Sequence, residues 1–505
     1  MVTVALWVAR AEASKLPAVR SRVARIGAAA VCVVTAAAIS ATPGLAAGGT
    51  PKIGAKPGFS RGFGPNVTDY VSRCRKGKPL ELSIDAPSGV AVGVDGAKPK
   101  SGRFTALVPL STGQKTDLVV RSSSGKRRYH VRCLPRDFPR WSFERFGRSG
   151  AQWHLIAPVP DVSAGDSHYV TFIDSHGVPV WWKRQRVIPL NSTLLPNGDL
   201  AWGRWYVAPF GMNPAGGWEV HRLDGRLVRT LRTAGSPTDM HDMEPLPNGD
   251  YLLLTYRLRK DVDLSAFGGS SHGNVVDGEI QELTPAGRVV WSWNSKDHIA
   301  LSENTRWHFA NQELPDGTKA YDYFHLNSVE PDGDGLVISA RHVDAVYRID
   351  RATGDVQWKL GGSKRPRSLK VIGDHLKPPF IGQHDARLLP DGTLTVFDNH
   401  TYFAPPRGVR FRIDTTARTA TVLDDVTDPK APLSPAEGSA RRLPGGNWVV
   451  SWGATHVISE LTPSSKPVWR LTLDKGQNFR VTPIPFGRLA PSALRGAMDK
   501  MHPRG

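Results

Sequence analysis

Three histidines share one position relative to a turn that recurs in this sequence. His241, His325 and His384 each lie six residues before the proline of a Pro-Asn-Gly or Pro-Asp-Gly turn (for example, 331 − 325). Arg341 lies ten residues after the proline of the turn that follows His325 (341 − 331). Imidazole and guanidinium groups gathered in one place could bind a metal ion or an anion, and a neutral imidazole could act as a nucleophile.

Two kinds of site fit these residue types. A metal site would use the imidazoles as ligands for zinc, copper or iron, with Asp242 or Asp385 as a neighbouring carboxylate. An anion site would use imidazolium and guanidinium donors to hold a tetrahedral group, which one neutral imidazole attacks. Arg341 favours the anion site, because a cation beside a bound metal weakens its binding. The residues alone leave both kinds of site open.

The elements that would position these side chains are repeated strands and turns. One recurring phrase is Pro-x-Gly followed by an apolar strand, and a second is a turn followed by a strand that often ends in Trp. The copies of the first phrase begin at Pro196, Pro247, Pro331, Pro390 and Pro444. Units of roughly 50 to 65 residues, rich in β-branched and aromatic residues, are typical of propeller blades.

We therefore expect an all-β protein with a six-bladed β-propeller over residues 137–488, and a seven-bladed propeller is the alternative. Blades stack around a central axis, so equivalent positions of adjacent blades lie on one ring. Histidines at one repeat phase in three successive blades would then point into a common funnel.

A different pattern precedes the repeats. Residues 48–66 are rich in Gly, Pro and Lys and are expected to form a linker. Over residues 67–136, short alternating strands between turn residues predict a small N-terminal β-sandwich domain. The predicted strands are Leu80–Ile84, Gly89–Val94, Phe104–Val108, Asp117–Arg121 and Tyr129–Cys133. At the other end, residues 489–505 are expected to form a loosely held C-terminal tail.

The N-terminus has the features of an export signal. Three arginines between residues 20 and 25 precede the apolar run Ile26–Ile39, and small residues at Leu45–Ala47 offer a cleavage site. This order predicts a secretory signal peptide over residues 1–47, and hence a secreted or extracytoplasmic protein. No later apolar stretch reaches membrane length, so we predict no integral membrane segment in the mature chain.

Cysteine content and charge narrow the other possibilities. Cys74 and Cys133 are the two cysteines that follow the signal peptide, and an even count in an exported chain predicts one disulfide between them. Lys and Arg exceed Asp and Glu by 65 − 46 = 19. The basic residues are scattered, with no basic helix interleaved with aromatics, so we predict no nucleic-acid partner.

Four short segments around the histidines and Arg341 resemble a known family. They are His241–Glu244, Asp322–Ser328, Ser339–His342 and Gln383–Ala386. Over most of residues 137–485 the chain is similar to the bacterial arylsulfotransferases, extracytoplasmic enzymes with a six-bladed propeller and a small N-terminal β-domain. The resemblance implies ping-pong transfer of a sulfuryl group from an aryl sulfate to a phenol. It implies no cofactor, and in particular no phosphoadenosine-phosphosulfate.

The resemblance also implies roles for individual residues. His384 would be the nucleophile that forms a sulfohistidine, and His325 would act as acid/base or as a ligand of the sulfuryl group. His241 and Arg341 would hold the sulfuryl oxygens. Sulfuryl transfer, like phosphoryl transfer, spreads charge over equatorial oxygens, which positioned cations stabilise. The alternatives are a non-catalytic propeller that binds anionic aryl or glycan ligands, and a metal-dependent propeller hydrolase or lyase.

Overall fold

The described part of the protein is built mainly of β-strands, as the all-β prediction requires. The computed structural model describes residues 49–161, 166–206, 211–307, 311–314 and 316–504. The predicted signal peptide lies outside these ranges. The described residues belong to one compact unit, Ala47–Gly505.

Two sheets near the N-terminus share an apolar core. Their strands are β1 (Lys52–Lys56), β2 (Asp69–Ser72), β3 (Leu80–Ala86), β4 (Ala91–Val94), β5 (Gly102–Val108), β6 (Lys115–Ser122) and β7 (Gly125–Cys133). One sheet has the order β1-β3-β5 and the other β2-β7-β6-β4. All five strands predicted for this region are observed.

A covalent bond ties the beginning of this region to its end. A disulfide joins Cys74 and Cys133, which confirms the predicted pairing.

The prediction of a linker is wrong for Lys52–Lys56, because this segment pairs antiparallel with β3 and places Ile53 in the core. Its composition is typical of coil, but pairing with a distant strand decides its conformation.

Six further sheets contain the remaining strands of the described residues. The strands of the first three sheets in chain order are β9 (Trp153–Val159), β10 (His168–Asp174), β11 (Pro179–Gln185) and β35 (Gln477–Ile484); β12 (Ile188–Leu194), β13 (Leu200–Trp205), β14 (Gly217–His221) and β15 (Leu227–Leu231); and β16 (Thr238–Pro245), β17 (Tyr251–Val262), β18 (Gly273–Leu283), β19 (Val289–Asn294), β20 (Asn311–Glu313) and β21 (Lys319–Asp322).

The other three sheets complete this part of the chain. Their strands are β22 (Leu326–Asp332), β23 (Gly335–Ala340), β24 (Ala345–Asp350) and β25 (Val356–Gly361); β26 (Lys370–Ile372), β27 (His384–Leu388), β28 (Leu394–Asp398), β29 (Arg407–Asp414) and β30 (Thr419–Val426); and β31 (Ser439–Arg442), β32 (Trp448–Ser451), β33 (Val457–Leu461), β34 (Pro467–Leu473) and β8 (Trp141–Arg145).

The Pro-x-Gly phrase is the turn that follows the first strand of a sheet. After β16, for example, the backbone N–H of Gly249 donates to the carbonyl oxygen of Leu246, and Gly249 has a φ of +90°. Glycine adopts this left-handed conformation without steric cost. The sequence repeat therefore corresponds to the structural repeat, and it places the three histidines on or beside the first strands of three successive sheets.

Five of these first strands, together with β35, contact one another in a closed cycle. β12 contacts β16, β16 contacts β22, and β22 contacts β27. The cycle continues through β27 with β31, β31 with β35, and β35 with β12. Two sheets are completed by strands distant in sequence, since β35 pairs with β9 and β8 pairs with β34. The beginning and the end of the repeated region thus pair with each other within the same two sheets.

A helix stands where a loose tail was predicted. α1 (Pro491–Met501) buries Leu494 and Met498 in an apolar core that the N-terminal sheets share with the sheet of β9, β10 and β11. Arg495 binds Asp69 from the N-terminal region through its Nε, at 2.8 Å. The prediction of a loosely held tail is wrong, because apolar residues three and four apart give this short helix a buried face.

The other described helical segments are single turns of 3₁₀-helix. They are Ser265–Phe267, Ser295–Asp297, Leu301–Glu303 and Arg341–Val343. Among the described residues, no helix combines the length and the apolar character that crossing a membrane would require.

Replacing Leu494 should reveal how firmly α1 is docked. Leu494→Ala is expected to lower the free energy of unfolding by about 2–5 kcal/mol, because a fully buried side chain is lost. Urea unfolding followed by circular dichroism measures the change. Lys500→Ala, on the exposed side of the same helix, is the matched control and should change stability by no more than about 0.5 kcal/mol. Equal stability of the two variants would contradict the docking.

Candidate functional site

The three histidines come together in the structure. His241 lies in β16, His325 immediately precedes β22, and His384 begins β27. One ring nitrogen from each histidine lies within 4.8 Å of those of the other two. The shared position relative to the turns therefore does correspond to a shared position in space.

Each histidine lies at an irregularity of its strand. The register of β16 against β17 shifts between Thr238 and Met243, and comparable shifts follow Leu326 in β22 and His384 in β27. Such bulges redirect side chains out of the regular alternation. His325 also has a φ of +52°, a conformation that costs energy for a residue with a side chain.

Two of the histidines are held by carboxylates. The Nδ1 of His241 lies 2.8 Å from Asp239 Oδ1, and the Nδ1 of His325 lies 2.6 Å from Asp322 Oδ2. A carboxylate that accepts from Nδ1 fixes the tautomer and makes the ring a stronger base through Nε2. Sequence reasoning missed both acids. Their only signal is an aspartate two or three residues before the histidine.

The third histidine is held by neutral groups. The Nδ1 of His384 donates to Asn399 Oδ1 at 2.8 Å and to the carbonyl oxygen of Gly382 at 3.0 Å. Asn399 is oriented because its Nδ2 donates to the carbonyl oxygen of Glu437. The Nε2 of His384 accepts the backbone N–H of Glu437 at 3.2 Å. His384 is therefore the Nδ1–H tautomer, with its lone pair on Nε2.

Burial keeps two of the imidazoles neutral. Burial, followed by the positive charge of Arg341, holds the pKa of His384 well below its usual value. Burial also lowers the pKa of His325, although Asp322 acts in the opposite direction. Both rings are therefore neutral at neutral pH, and this is the form that a nucleophile or a metal ligand requires.

Arg341 brings a positive charge to the same place. Its Nη2 donates to the carbonyl oxygen of Pro435 at 2.8 Å, and its guanidinium carbon lies 4.1 Å from the centre of the Trp307 ring. Burial lowers the pKa of Arg341 to about 10, so the group is still charged at neutral pH. Within the described residues its buried Nε has no hydrogen-bond partner. A buried guanidinium with an unused N–H can donate to an anion.

Asp242 and Asp385 do not serve the histidines, which corrects the expectation of a nearby carboxylate at these positions. Asp242 accepts hydrogen bonds from Arg387 Nη2 at 2.8 and 2.7 Å, and from Arg480 Nη1 at 3.0 Å. Asp385 accepts from Arg387 Nε at 3.0 Å. These four buried side chains, the central ion cluster, link β16, β27 and β35 directly behind the histidines.

Two glutamates extend the central ion cluster. Glu244 and Glu330 both bind Arg387, and Arg441 binds Asp385 at 2.6 Å. Burial raises the pKa of Glu244 to about 8 and also raises the pKa of Glu330. Four carboxyl groups thus face three guanidinium groups. When one of the two glutamates is protonated, three carboxylates balance the three guanidinium charges.

Glu437 is a separate buried acid beside His384. Its carboxyl oxygens accept from Gln477 Nε2 at 3.0 and 3.2 Å. Burial raises the pKa of Glu437 to about 8, although Arg480 acts in the opposite direction. The side chain is therefore mostly protonated at neutral pH. Neither Glu437 nor Trp307 belongs to the repeated phrases, so their positions relative to the turns gave no signal.

The titration of Glu437 should make stability depend on pH. Its pKa is about 8 in the folded protein, and that of an unfolded glutamate is about 4.3. Folding therefore binds a proton, and the free energy of unfolding falls as pH rises from about 4.3 to about 8. Glu437→Gln removes this group and should lose less stability than wild type over that range. Urea unfolding at several pH values measures both profiles.

Glu313→Gln, at an exposed glutamate, is the control and should keep the wild-type profile. Parallel profiles for wild type and Glu437→Gln would show that burial does not raise the pKa of Glu437.

A family model described as arylsulfotransferase (ASST) matches residues 218–474. This range contains the three histidines and Arg341. No curated protein is significantly similar to the chain.

Three solved structures match the chain with low similarity. A protein of unknown function from Bacteroides caccae is 13% identical, with 66% of this chain and 99% of that chain covered and a TM-score of 0.41. The periplasmic gluconolactonase of Pseudomonas aeruginosa is 12% identical, with 66% and 99% covered and a TM-score of 0.39. A β-propeller domain from Myceliophteria thermophila is 11% identical, with 68% and 89% covered and a TM-score of 0.33.

Proposed function

The chain belongs to the arylsulfotransferase family, and from this premise we propose that it transfers a sulfuryl group from an aryl sulfate to a phenol. The observation that carries the proposal is the convergence of three imidazoles beside one buried guanidinium. The reaction is ping-pong, with a sulfohistidine between its two halves. It needs no phosphoadenosine-phosphosulfate.

His384 is the proposed nucleophile. Its Nε2 carries the lone pair, and its Nδ1–H is held by Asn399 and Gly382. The Nε2 attacks sulfur, the N–S bond forms and the bond from sulfur to the phenolic oxygen breaks. The neutral amide oxygen of Asn399 still accepts from Nδ1 when the ring becomes positively charged. The Glu437 N–H, released from Nε2, can turn to a sulfuryl oxygen.

His325 is the proposed acid/base. A leaving phenolate has a pKa near 10 in water, so protonation at the oxygen assists its departure. Burial lowers the pKa of His325, so the ring takes up the proton that it donates from solvent when the anionic aryl sulfate binds. Asp322 lies 2.6 Å from Nδ1 of His325 and stabilises the imidazolium formed in this way. In the second half-reaction His325 takes the proton of the acceptor phenol. The acceptor oxygen then attacks sulfur, and the N–S electron pair returns to His384.

His241 and Arg341 are proposed to hold the sulfuryl oxygens. Charge spreads over these oxygens in the transition state, and fixed donors in a site shielded from water stabilise it strongly. Arg341 is fixed by Pro435 and by the ring of Trp307. His241 is fixed by Asp239.

We also propose that the fold is a six-bladed β-propeller over residues 137–488, preceded by a β-sandwich over residues 67–136. Six sheets of at least four strands in the described chain, and the closed cycle of contacts among one strand from each sheet, support the propeller. Two sheets with a common apolar core support the sandwich.

The proposed location is outside the cytoplasm. The sequence features of residues 1–47 support export. The disulfide between Cys74 and Cys133 is consistent with an oxidising compartment. Aryl sulfates and phenols are the proposed partners, and a donor that carries its own sulfuryl group suits a compartment without nucleotide cofactors.

The first test is turnover of 4-nitrophenyl sulfate by wild type and by His384→Ala. Wild type is expected to release nitrophenolate faster when phenol is added, and to gain the mass of one sulfuryl group when phenol is absent. His384→Ala should show neither effect, because the attacking nitrogen is gone. His375→Ala, at an exposed histidine, is the matched control and should behave like wild type.

The outcomes separate the possible readings of this site. A folded wild type without turnover on any phenolic acceptor would favour a propeller that only binds anionic aryl or glycan ligands. Turnover that persists in His384→Ala would keep the transfer reaction and overturn the choice of nucleophile.

The stacking of Arg341 on Trp307 should matter for the rate. Trp307→Ala is expected to lower kcat/KM for sulfuryl transfer about tenfold, because a buried cation–π contact is worth about 1–2 kcal/mol. Trp307→Phe keeps an aromatic face and should recover most of the loss. Steady-state rates with 4-nitrophenyl sulfate and phenol measure both. Equal rates for the Ala and Phe variants would mean that the ring does not position Arg341.

A further inference from the structure

We propose that His241, His325 and His384 also form a binding site for a divalent transition metal ion of the zinc type, and that metal binding and sulfuryl transfer exclude each other. The binding part stands on the geometry of the three rings. The exclusion part rests on the function proposed above.

The spacing of the three rings suits a single ion. Their ring nitrogens lie within 4.8 Å of one another. Tetrahedral zinc with Zn–N bonds of about 2.0–2.1 Å places its donors about 3.4 Å apart. Each pair of nitrogens therefore has to close by no more than about 1.4 Å, a change that side-chain rotation can supply. Three protein ligands leave a fourth position open, as in zinc sites that exchange ligands.

The groups behind the rings are those that metal sites use. A histidine that binds a metal through one nitrogen usually donates its other N–H to a carboxylate or a carbonyl oxygen. Asp239 and Asp322 accept hydrogen bonds from Nδ1 of His241 and His325. Asn399 accepts one from Nδ1 of His384. When a ring binds a metal, this pattern directs its lone pair to Nε2, where a shared ion would be bound.

Two features oppose the metal and set its affinity. Arg341 places a positive charge beside the rings, which repels a cation. The Glu437 N–H occupies Nε2 of His384 at 3.2 Å and has to be released. We therefore expect reversible binding of ions that prefer imidazole, such as Zn²⁺, Co²⁺ and Cu²⁺, rather than Mg²⁺ or Ca²⁺.

The same lone pair would serve both reactions. A metal bound to Nε2 of His384 removes the electron pair that attacks sulfur. The sulfuryl group, in turn, would occupy the space between the rings where the ion lies. Metal binding should therefore inhibit transfer in competition with the aryl sulfate, and a strong chelator should restore activity in full.

The test uses the full chain after dialysis against a chelator. Titration with Zn²⁺ in a calorimeter is expected to show one ion per chain, and Co²⁺ should give the intense visible absorption of a tetrahedral complex. His241→Ala, His325→Ala and His384→Ala should each weaken binding at least about 100-fold, since a ligand is lost. Mg²⁺ should not bind. His272→Ala, at an exposed histidine, is the control and should bind Zn²⁺ as wild type does.

Arg341→Met provides a second readout. Removal of the positive charge should raise Zn²⁺ affinity about tenfold while sulfuryl transfer falls. Opposite changes in the two measurements cannot come from a general loss of folding. A lower Zn²⁺ affinity in this variant would contradict the proposed position of the ion beside Arg341.

The remaining outcomes decide between the two proposals. Absence of stoichiometric Zn²⁺ binding, or binding unchanged in all three histidine variants, would overturn the metal site and leave sulfuryl transfer intact. Stoichiometric binding in a protein whose metal-free form transfers no sulfuryl group would support the metal site and overturn the proposed function. Transfer that continues with the site saturated by Zn²⁺ would overturn the exclusion.

Discussion

The contact of Arg387 with Asp242 is the interaction on which the position of the histidines depends. It joins β27 to β16, and Arg480 joins both to β35, the strand that completes the cycle of sheets. Asp242 and Asp385 directly follow His241 and His384, so the central ion cluster fixes the backbone that carries each ring. Buried charges are costly unless they are paired, and loss of one partner from such a pair costs about 3–5 kcal/mol. The cluster therefore resists any slip of one inner strand against the next.

The site divides its histidines by what lies behind them. His241 and His325 have carboxylates at Nδ1 and suit roles that involve positive charge, such as holding an anion or carrying a proton. His384 has a neutral amide there and a pKa held well below its usual value, so it keeps an unprotonated Nε2. Three chemically identical side chains thus acquire different properties from residues that do not face the substrate. Both the proposed binding of the sulfuryl group and the proposed binding of a metal ion depend on this division.

The spacing of the sequence repeats predicted which histidines form the site, but not the residues that surround them. The distance from each histidine to its turn proline predicted that the rings would meet, because residues at one repeat phase occupy equivalent positions. It could not predict Asp239, Asp322 or Asn399 as Nδ1 partners, since side-chain directions at a bulge depend on the local register shift. Trp307 lies between β19 and β20, outside the repeat. The strand at Lys52–Lys56 and the helix α1 were missed because tertiary pairing and docking, rather than composition, determine them.

The depth of His384 has a consequence for the fate of the proposed covalent intermediate. His384 is 1% exposed, so bulk water would have little access to an N–S bond formed there. Hydrolysis of that bond would turn the protein into a sulfatase, and only the relative arrival of water and of an acceptor decides between the two fates. A phenol that fills the space above the ring brings its own oxygen and keeps solvent out. Burial would thereby favour transfer of the sulfuryl group to a phenol over its hydrolysis. Which product forms would depend on whether water or the phenol reaches the N–S bond.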